Sequence, residues 1–123
     1  MITLQNNIKI DQGSTYRDDI WFLDSNDVPI DVSSYTAVMQ IRADYNDDAE
    51  LIVDANTTNG MMIFHEDGDA GKLTVLIPSA ISSAITVDGS VRQAVYNIEI
   101  TSATGEVTRI YSGHCDIRKD INL

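Results

Sequence analysis

The sequence predicts an all-β protein: a single antiparallel β-sandwich of the immunoglobulin-like type, with seven or eight strands. Three observations predict it. Apolar and polar residues alternate with a period of two along most of the chain, helical periodicity is nearly absent, and turn-forming residues recur roughly every 8 to 12 positions. Because 123 residues is the length of one domain, residues 1–123 are expected to form a single unit.

The first two expected strands precede an early turn. Residues 3–10 and 16–23 both show the alternation, and in the second strand Ile20 and Phe22 take one face while Trp21 takes the other. The stretch DSNDVP follows. It predicts a turn because Asp and Asn side chains bind nearby backbone groups and proline presets its own backbone angle.

Four more strands are expected in the middle of the chain, at residues 36–44, 51–55, 61–66 and 72–78. Turns at NTTNG and DGDAG separate the last three of them. The side chains expected to point inward are Ala37, Met39 and Ile41 in the first of the four, and Leu73, Val75 and Ile77 in the last.

One short helical segment and a hairpin complete the expected fold. Residues 79–85 (SAISSAI) begin with a serine able to cap a helix, which suits one or two helical turns. Tyr96, Ile98 and Ile100 then alternate with polar residues, and SATG turns the chain into a partner strand beginning near Val107.

The register of that closing strand has two solutions. Ile110 stands at an even position whereas Cys115 and Ile117 stand at odd ones. A single register would bury Arg109, which is costly for an unpaired charge. We therefore expect a β-bulge at Gly113, with Ile110 inward before it, Cys115 inward after it, and Arg109 exposed as a candidate contact for a partner.

Charge and composition exclude several classes of function. The net charge of −11 repels phosphate backbones and anionic membrane surfaces, so we expect neither nucleic-acid nor membrane binding. The beginning of the chain lacks a signal-peptide pattern, and no long apolar run occurs. A soluble protein made in the cytoplasm is expected. The same acidity suits calcium or a basic partner surface.

Catalytic arrangements are not apparent. The only cysteine, Cys115, excludes an internal disulfide, and its neighbour His114 must point to the opposite face of the strand. A base for this thiol would have to be His65, from another strand. Two histidines and one cysteine are too few for a zinc site, no GxSxG motif occurs, and no pair among the fifteen aspartates is singled out. We expect no enzyme activity, no catalytic residues and no cofactor.

The acidic loop at residues 44–50 is the strongest metal candidate. Asp44, Asn46 and Asp48 match the first three ligand positions of a calcium-binding loop. The sixth position is Ala49 and the twelfth is Asn56, where such a loop needs glycine and glutamate. A second acidic turn contains Asp67 and Asp69. We assign no metal site to either, and solvated loops are the expectation.

The order of these features resembles a group of small bacteriophage virion domains found in tail and baseplate proteins, including the N-terminal part of siphophage upper baseplate proteins. The resemblance covers nearly the whole chain, from IKIDQGSTY to the closing hairpin YNIEITSATGEVTRIYSGHCDI. The matching positions are Gln12, Gly13, Tyr16, Pro29, Asp31, Tyr35, Ala37, Met39, Gln40, Ile41 and Arg42. The departures are Asp27, Val28, Val32 and Asn97.

The resemblance implies a non-enzymatic structural protein of the virion that acts by protein–protein assembly. Its expected partners are other tail or baseplate proteins and copies of itself, and its expected location is the virion, after synthesis in the bacterial host cytoplasm. The alternative is a carbohydrate-binding or adhesin-type module that uses exposed aromatic residues such as Trp21, Tyr45 or Tyr111. A small hydrolase with paired carboxylates is a third hypothesis.

Overall fold

A computed structural model describes residues 4–46, 48–65 and 71–121. Within these residues the chain forms nine strands and one short helix, so the expected all-β class is confirmed. The strands are β1 (Leu4–Gln5), β2 (Ile8–Asp11), β3 (Tyr16–Trp21), β4 (Thr36–Arg42), β5 (Leu51–Asn56), β6 (Met62–Phe64), β7 (Lys72–Ile77), β8 (Val91–Thr101) and β9 (Val107–Arg118); the helix α1 is Ser79–Ser83.

The strands form two sheets. The first has the order β1-β9-β8-β4-β5, with β2 also paired to β9, and the second has the order β3-β7-β6. Both β1 and β2 run parallel to β9, so the expectation of a wholly antiparallel arrangement is wrong for them. The strand count exceeds seven or eight because the candidate at 3–10 is divided, with Asn6 and Asn7 between its two parts.

One hydrophobic cluster contains buried side chains from both sheets. Period-two alternation predicted its members correctly: the first sheet contributes Ala37, Met39, Ile41, Tyr96, Ile98 and Ile100, and the second contributes Ile20, Leu73, Val75 and Ile77. Phe22 is buried while its neighbours Trp21 and Leu23 are each 45% exposed. The two faces of the chain at residues 20–23 are therefore as expected from the sequence.

The chain passes from β2 to β3 through a corner held by Gln12 and Ser82. The Gln12 side chain donates to the Ile85 backbone oxygen at 2.7 Å and accepts from the Asp120 backbone N–H at 2.9 Å. The buried Ser82 Oγ accepts from the Gly13 N–H at 3.1 Å. These polar contacts fix the corner, since buried amide and hydroxyl groups need partners.

The helix α1 is shorter than the expected 79–85 and starts differently. Its N-cap is Pro78, and no side chain caps the first turn. The expected capping role for a serine is therefore wrong, because Ser79 is already the first helical residue. Ser82 has the larger structural role: its hydroxyl also donates to the Ser14 backbone oxygen at 2.7 Å.

The closing strand contains a bulge, although not at Gly113. Ile98 pairs with Tyr111 and Glu99 pairs with Arg109, so Ile110 is the extra residue. Ile110 and Cys115 are both buried and Arg109 is exposed, as expected. Gly113 instead pairs with Tyr96 and meets the backbone of Asn6, where a Cβ would lie 2.2 Å from the Asn6 oxygen. A close backbone approach explains this glycine.

Candidate functional site

The histidines and the cysteine do not form a common site. Cys115 is fully buried in the core, and burial raises the pKa of its thiol to about 12. His114 is exposed on the opposite face of the strand. His65 follows β6 in the other sheet, where its Nε2 lies 2.7 Å from the Thr74 hydroxyl. The thiol therefore has neither histidine as a neighbouring base, and its raised pKa opposes the ionisation that nucleophilic catalysis needs.

Thr74 links His65 to Asp19 across the second sheet. The Thr74 hydroxyl donates to Asp19 Oδ1 at 2.6 Å, and this bond is the main cause of the lowered pKa of Asp19. Because the hydroxyl proton points to the carboxylate, His65 Nε2–H donates to Thr74 rather than accepting its proton. An activated threonine nucleophile needs the reverse direction, so these contacts stabilise the sheet surface.

The carboxylates of Asp18 and Asp19 also do not converge. Both residues border a cavity of about 120 Å³ that Tyr16, Tyr96 and Tyr111 line. Burial raises the pKa of Asp18, while Asp19 binds Thr74 on the other face of β3. Adjacent strand residues point to opposite faces, so the two acids cannot act on one substrate from this cavity.

The acidic loop uses its side chains for its own backbone. Asp44 Oδ1 accepts from the Tyr45 N–H at 2.7 Å, and Asn46 Oδ1 accepts from the Asp48 N–H at 3.1 Å. No group of three or more acidic, histidine or cysteine side chains suited to a metal ion occurs in residues 4–46, 48–65 and 71–121. The second acidic turn, with Asp67 and Asp69, lies outside the described residues.

A polar groove of about 500 Å³ lies on the outer face of the first sheet. We call it the Tyr45 groove; its lining includes Gln40, Arg42, Asn97 and Arg109 from the strands, with Asp44, Tyr45 and Asn46 from the loop. Tyr45 reaches across the sheet, because its hydroxyl donates to the Gly113 backbone oxygen at 3.3 Å. Beneath the loop, the outward-facing Val95 is only 8% exposed.

The donors and acceptors of the Tyr45 groove are partly fixed in place. Arg42 donates through Nε to Gln40 Oε1 at 3.2 Å and through Nη1 to the Ala49 backbone oxygen at 3.1 Å. Tyr45 is 64% exposed, so its ring offers a surface to a ligand. Guanidinium, amide and aromatic groups in one groove suit a polar, uncharged ligand that stacks and forms several hydrogen bonds.

An apolar ribbon follows β3 at residues 21–30. Leu23 and Pro29 form an antiparallel bridge, the Ile30 N–H donates to the Phe22 oxygen at 2.8 Å, and the Asp24 N–H donates to the Val28 oxygen at 2.9 Å. The exposed apolar side chains of this ribbon are Trp21 at 45%, Leu23 at 45%, Val28 at 53% and Ile30 at 41%. The 21–30 ribbon therefore presents four large apolar groups to solvent.

The tip of the 21–30 ribbon has a defined conformation. Asp24 Oδ1 accepts from the N–H groups of Asn26 and Val28 at 2.8 and 3.0 Å. Asp27 has a φ of 61°, which aspartate tolerates better than most residues. At the base, a Cβ on Gly71 would lie 2.7 Å from the Pro29 Cβ. The sequence predicted this turn but gave no sign that its apolar neighbours stay exposed.

Two edge strands have local protection against pairing with another chain. On β3, the acidic Asp18 is at an inward position, on the same face as Ile20. On β5, Asn59 donates to the Asp54 oxygen at 2.8 Å, and its own Oδ1 accepts from the Asn56 N–H at 3.1 Å. Inward charges and capped backbone groups are common ways to block edge-to-edge association. At these two edges, side chains are therefore more accessible for contact than unpaired backbone groups.

Searches of protein-family models and of curated proteins gave no match to this chain. Among the described residues, no helix has the length and apolar character needed to cross a membrane.

Proposed function

We propose that this protein is a non-enzymatic structural component of a bacteriophage virion, in the tail or baseplate, and that it acts through protein–protein assembly. In this proposal the two sheets form an immunoglobulin-like β-sandwich. Its partners are other virion proteins and copies of itself. The resemblance of the sequence from IKIDQGSTY to the closing hairpin supports the class, and the 21–30 ribbon supports assembly as the mode of action.

The 21–30 ribbon is the observation that carries the proposal. Four large apolar side chains exposed within ten residues form a local cluster, and clustered apolar surface commonly marks a contact with another macromolecule. The corner residues Gln12 and Gly13, which belong to the resemblance, have structural roles in this fold: Gln12 is 7% exposed, and Gly13 has a φ of 86°.

The proposal is tested by measuring the native mass of the purified protein and its co-purification with co-encoded virion structural proteins. We expect a symmetric oligomer or a stable complex with at least one of those proteins. A protein that stays monomeric at high concentration and binds none of them would contradict the proposal. The variant Val107→Asp adds one charge outside the ribbon, at a side chain that is 57% exposed, and should assemble as the wild type does.

The Tyr45 groove favours a second candidate, a carbohydrate-binding module. Of the three aromatic residues that could stack on a sugar, Tyr111 is half-buried beside the small cavity, and the ring of Trp21 has the Lys72 ammonium 5.6 Å from its centroid. Tyr45 is the most exposed of the three and has amide and guanidinium groups near it. This arrangement matches the aromatic and hydrogen-bonding surfaces that hold sugars.

A glycan array followed by calorimetry tests the second candidate. We expect a glycan bound by the wild type to be lost with Tyr45→Ala and retained with Trp21→Ala, since only Tyr45 lines the groove. Retained binding by Tyr45→Ala would exclude this groove. Absence of any glycan ligand would leave the assembly proposal as the only one of the two.

A further inference from the structure

The 21–30 ribbon exposes apolar groups on both of its faces. Leu23 and Pro29 are bridge partners, so their side chains share one face with Trp21, two positions earlier. Val28 and Ile30 flank Pro29 in the chain and therefore point to the other face, the side of the buried Phe22. A flat partner surface would cover only one of these faces, whereas a cleft covers both.

Charge around the ribbon restricts what can occupy that contact. Residues 18–31 contain five aspartates and no lysine or arginine, and the one cation described beside the ribbon's Trp21 ring is Lys72, 5.6 Å from its centroid. Asp31 is held in its ionised form because the Ser33 hydroxyl, 2.6 Å from its Oδ1, lowers its pKa. A second copy would bring the same five acids against these, and like charges across an interface oppose association. A basic border on the partner would be attracted instead.

We infer that the 21–30 ribbon inserts into a cleft on a different protein, one with apolar walls and lysine or arginine residues at its rim. The inference rests on the proposed role in assembly and specifies the partner's chemistry. Strand addition at β3 is disfavoured, because Asp18 places an acidic side chain on the inward face of this edge strand. Among the described residues at this end of the second sheet, the exposed side chains of the ribbon therefore offer a route of contact.

The test uses the only tryptophan in the chain, Trp21, as the reporter of occupancy. Two synthetic amphipathic peptides share the same leucine and phenylalanine positions, and carry either lysine or glutamate at every polar position. We expect the lysine peptide to shift the Trp21 emission to shorter wavelength and to bind about tenfold or more tightly than the glutamate peptide. Added salt should weaken the lysine peptide's binding.

Val28→Asp separates specific docking from general attraction to an acidic protein. This change adds negative charge yet removes an apolar group that is 53% exposed, so we expect the lysine peptide to bind about tenfold more weakly. Val107→Asp adds the same charge at a side chain that is 57% exposed and should leave binding unchanged. Leu23→Ser, a change without charge, should also weaken binding. Circular dichroism checks that each variant is folded.

Four outcomes would overturn the inference. Equal binding of the two peptides would contradict a basic rim on the partner. Undiminished binding by both Val28→Asp and Leu23→Ser would show that the ribbon is not the binding site. A concentration-dependent shift of Trp21 emission without peptide would identify a second copy as the occupant. If Val28→Asp loses the peptide but still assembles with virion proteins, this inference fails while the proposed function stands. If the peptide binds as expected but no virion protein does, the proposed function fails while the chemistry inferred for the ribbon's partner stands.

Discussion

Tyr96 lies directly opposite Gly113 in the β8–β9 pair, and its hydroxyl donates a 2.6 Å hydrogen bond to the Asn6 backbone oxygen. That same oxygen stands 2.2 Å from where a Cβ on Gly113 would be. The missing side chain therefore lets the segment between β1 and β2 approach β9 closely enough for Tyr96 to bind it.

Gly113→Ala should lower the free energy of unfolding by about 2 kcal/mol, a typical cost for overpacking a well-filled site. The added methyl group meets backbone atoms of Asn6, which cannot turn aside as a flexible side chain would. Urea denaturation measures the effect. His114→Ala, a change of an exposed neighbour, should stay within about 0.5 kcal/mol of the wild type. Equal stability of Gly113→Ala and wild type would show that the approach is not constrained.

Ser82→Ala should cost about 2 kcal/mol, because it leaves the Gly13 N–H and the Ser14 oxygen without their buried partner. Thermal or urea unfolding gives the value. Ser83→Ala is a matched control, since the exposed Ser83 hydroxyl binds only the nearby Ala80 oxygen at 3.2 Å and should matter little. If the two variants are equally stable, the corner between β2 and β3 does not depend on Ser82.

Asp18→Asn should raise the melting temperature at pH 7. Burial raises the folded-state pKa of Asp18 above its ordinary value of 3.8, so its ionised form is penalised above the folded pKa. The penalty disappears as the pH falls through that raised pKa toward 3.8, so the difference between variant and wild type should shrink near pH 4.

Asp11→Asn is the control of opposite sign for that titration. Arg118 lowers the folded-state pKa of Asp11 below its ordinary value of 3.8. The ionised carboxylate therefore stabilises the fold above pH 3.8, and this stabilisation is lost as the pH falls through the lower folded-state pKa. The variant should therefore be slightly less stable than wild type at pH 7, by a small amount since the pair is exposed. If Asp18→Asn instead lowers the melting temperature at pH 7, the raised folded-state pKa of Asp18 is contradicted.

Cys115 should not react with a disulfide reagent such as Ellman's reagent while the protein is folded at pH 8. Its side chain is fully buried and its pKa is raised to about 12, so little thiolate exists and none is accessible. Reaction should become complete in denaturing urea. A His114→Cys, Cys115→Ala variant should react at once in the folded state, because position 114 is exposed. Rapid labelling of the folded wild type would contradict the burial.

Local alternation was enough to predict which side chains face the core. Ile20 with Phe22, and Leu73 with Val75, are buried as the period-two pattern indicates, because facing inward depends only on neighbours within one strand. The class of fold follows from the same pattern. None of this information identifies a strand's partner or its direction, and the parallel pairing of β2 with β9 was accordingly missed.

The position of the bulge in β9 depends on pairing between strands, which local alternation cannot predict. The change of parity between Ile110 and Cys115 required one extra residue somewhere in between, and glycine is a common bulge residue. The bulge lies at Ile110, since Glu99 pairs with Arg109. Gly113 instead allows the close approach of the Asn6 backbone, over a hundred positions earlier in the chain. The Tyr45 groove and the exposed 21–30 ribbon are also products of long-range packing, so single residues within them could be named but not their arrangement.

The pairing of β2 with β9 has a consequence for how fast this protein reaches its native state. Asp11 and Arg118, which bind each other across these strands, are 107 positions apart. Contacts of such separation must close a long loop before they return any stability, and proteins rich in them fold slowly. During synthesis, β2 leaves the ribosome long before β9 is made, so the Ile10 side chain stays exposed until its neighbour Ile117 is available. Conditions that slow translation should therefore lengthen the time this apolar segment is exposed to aggregation.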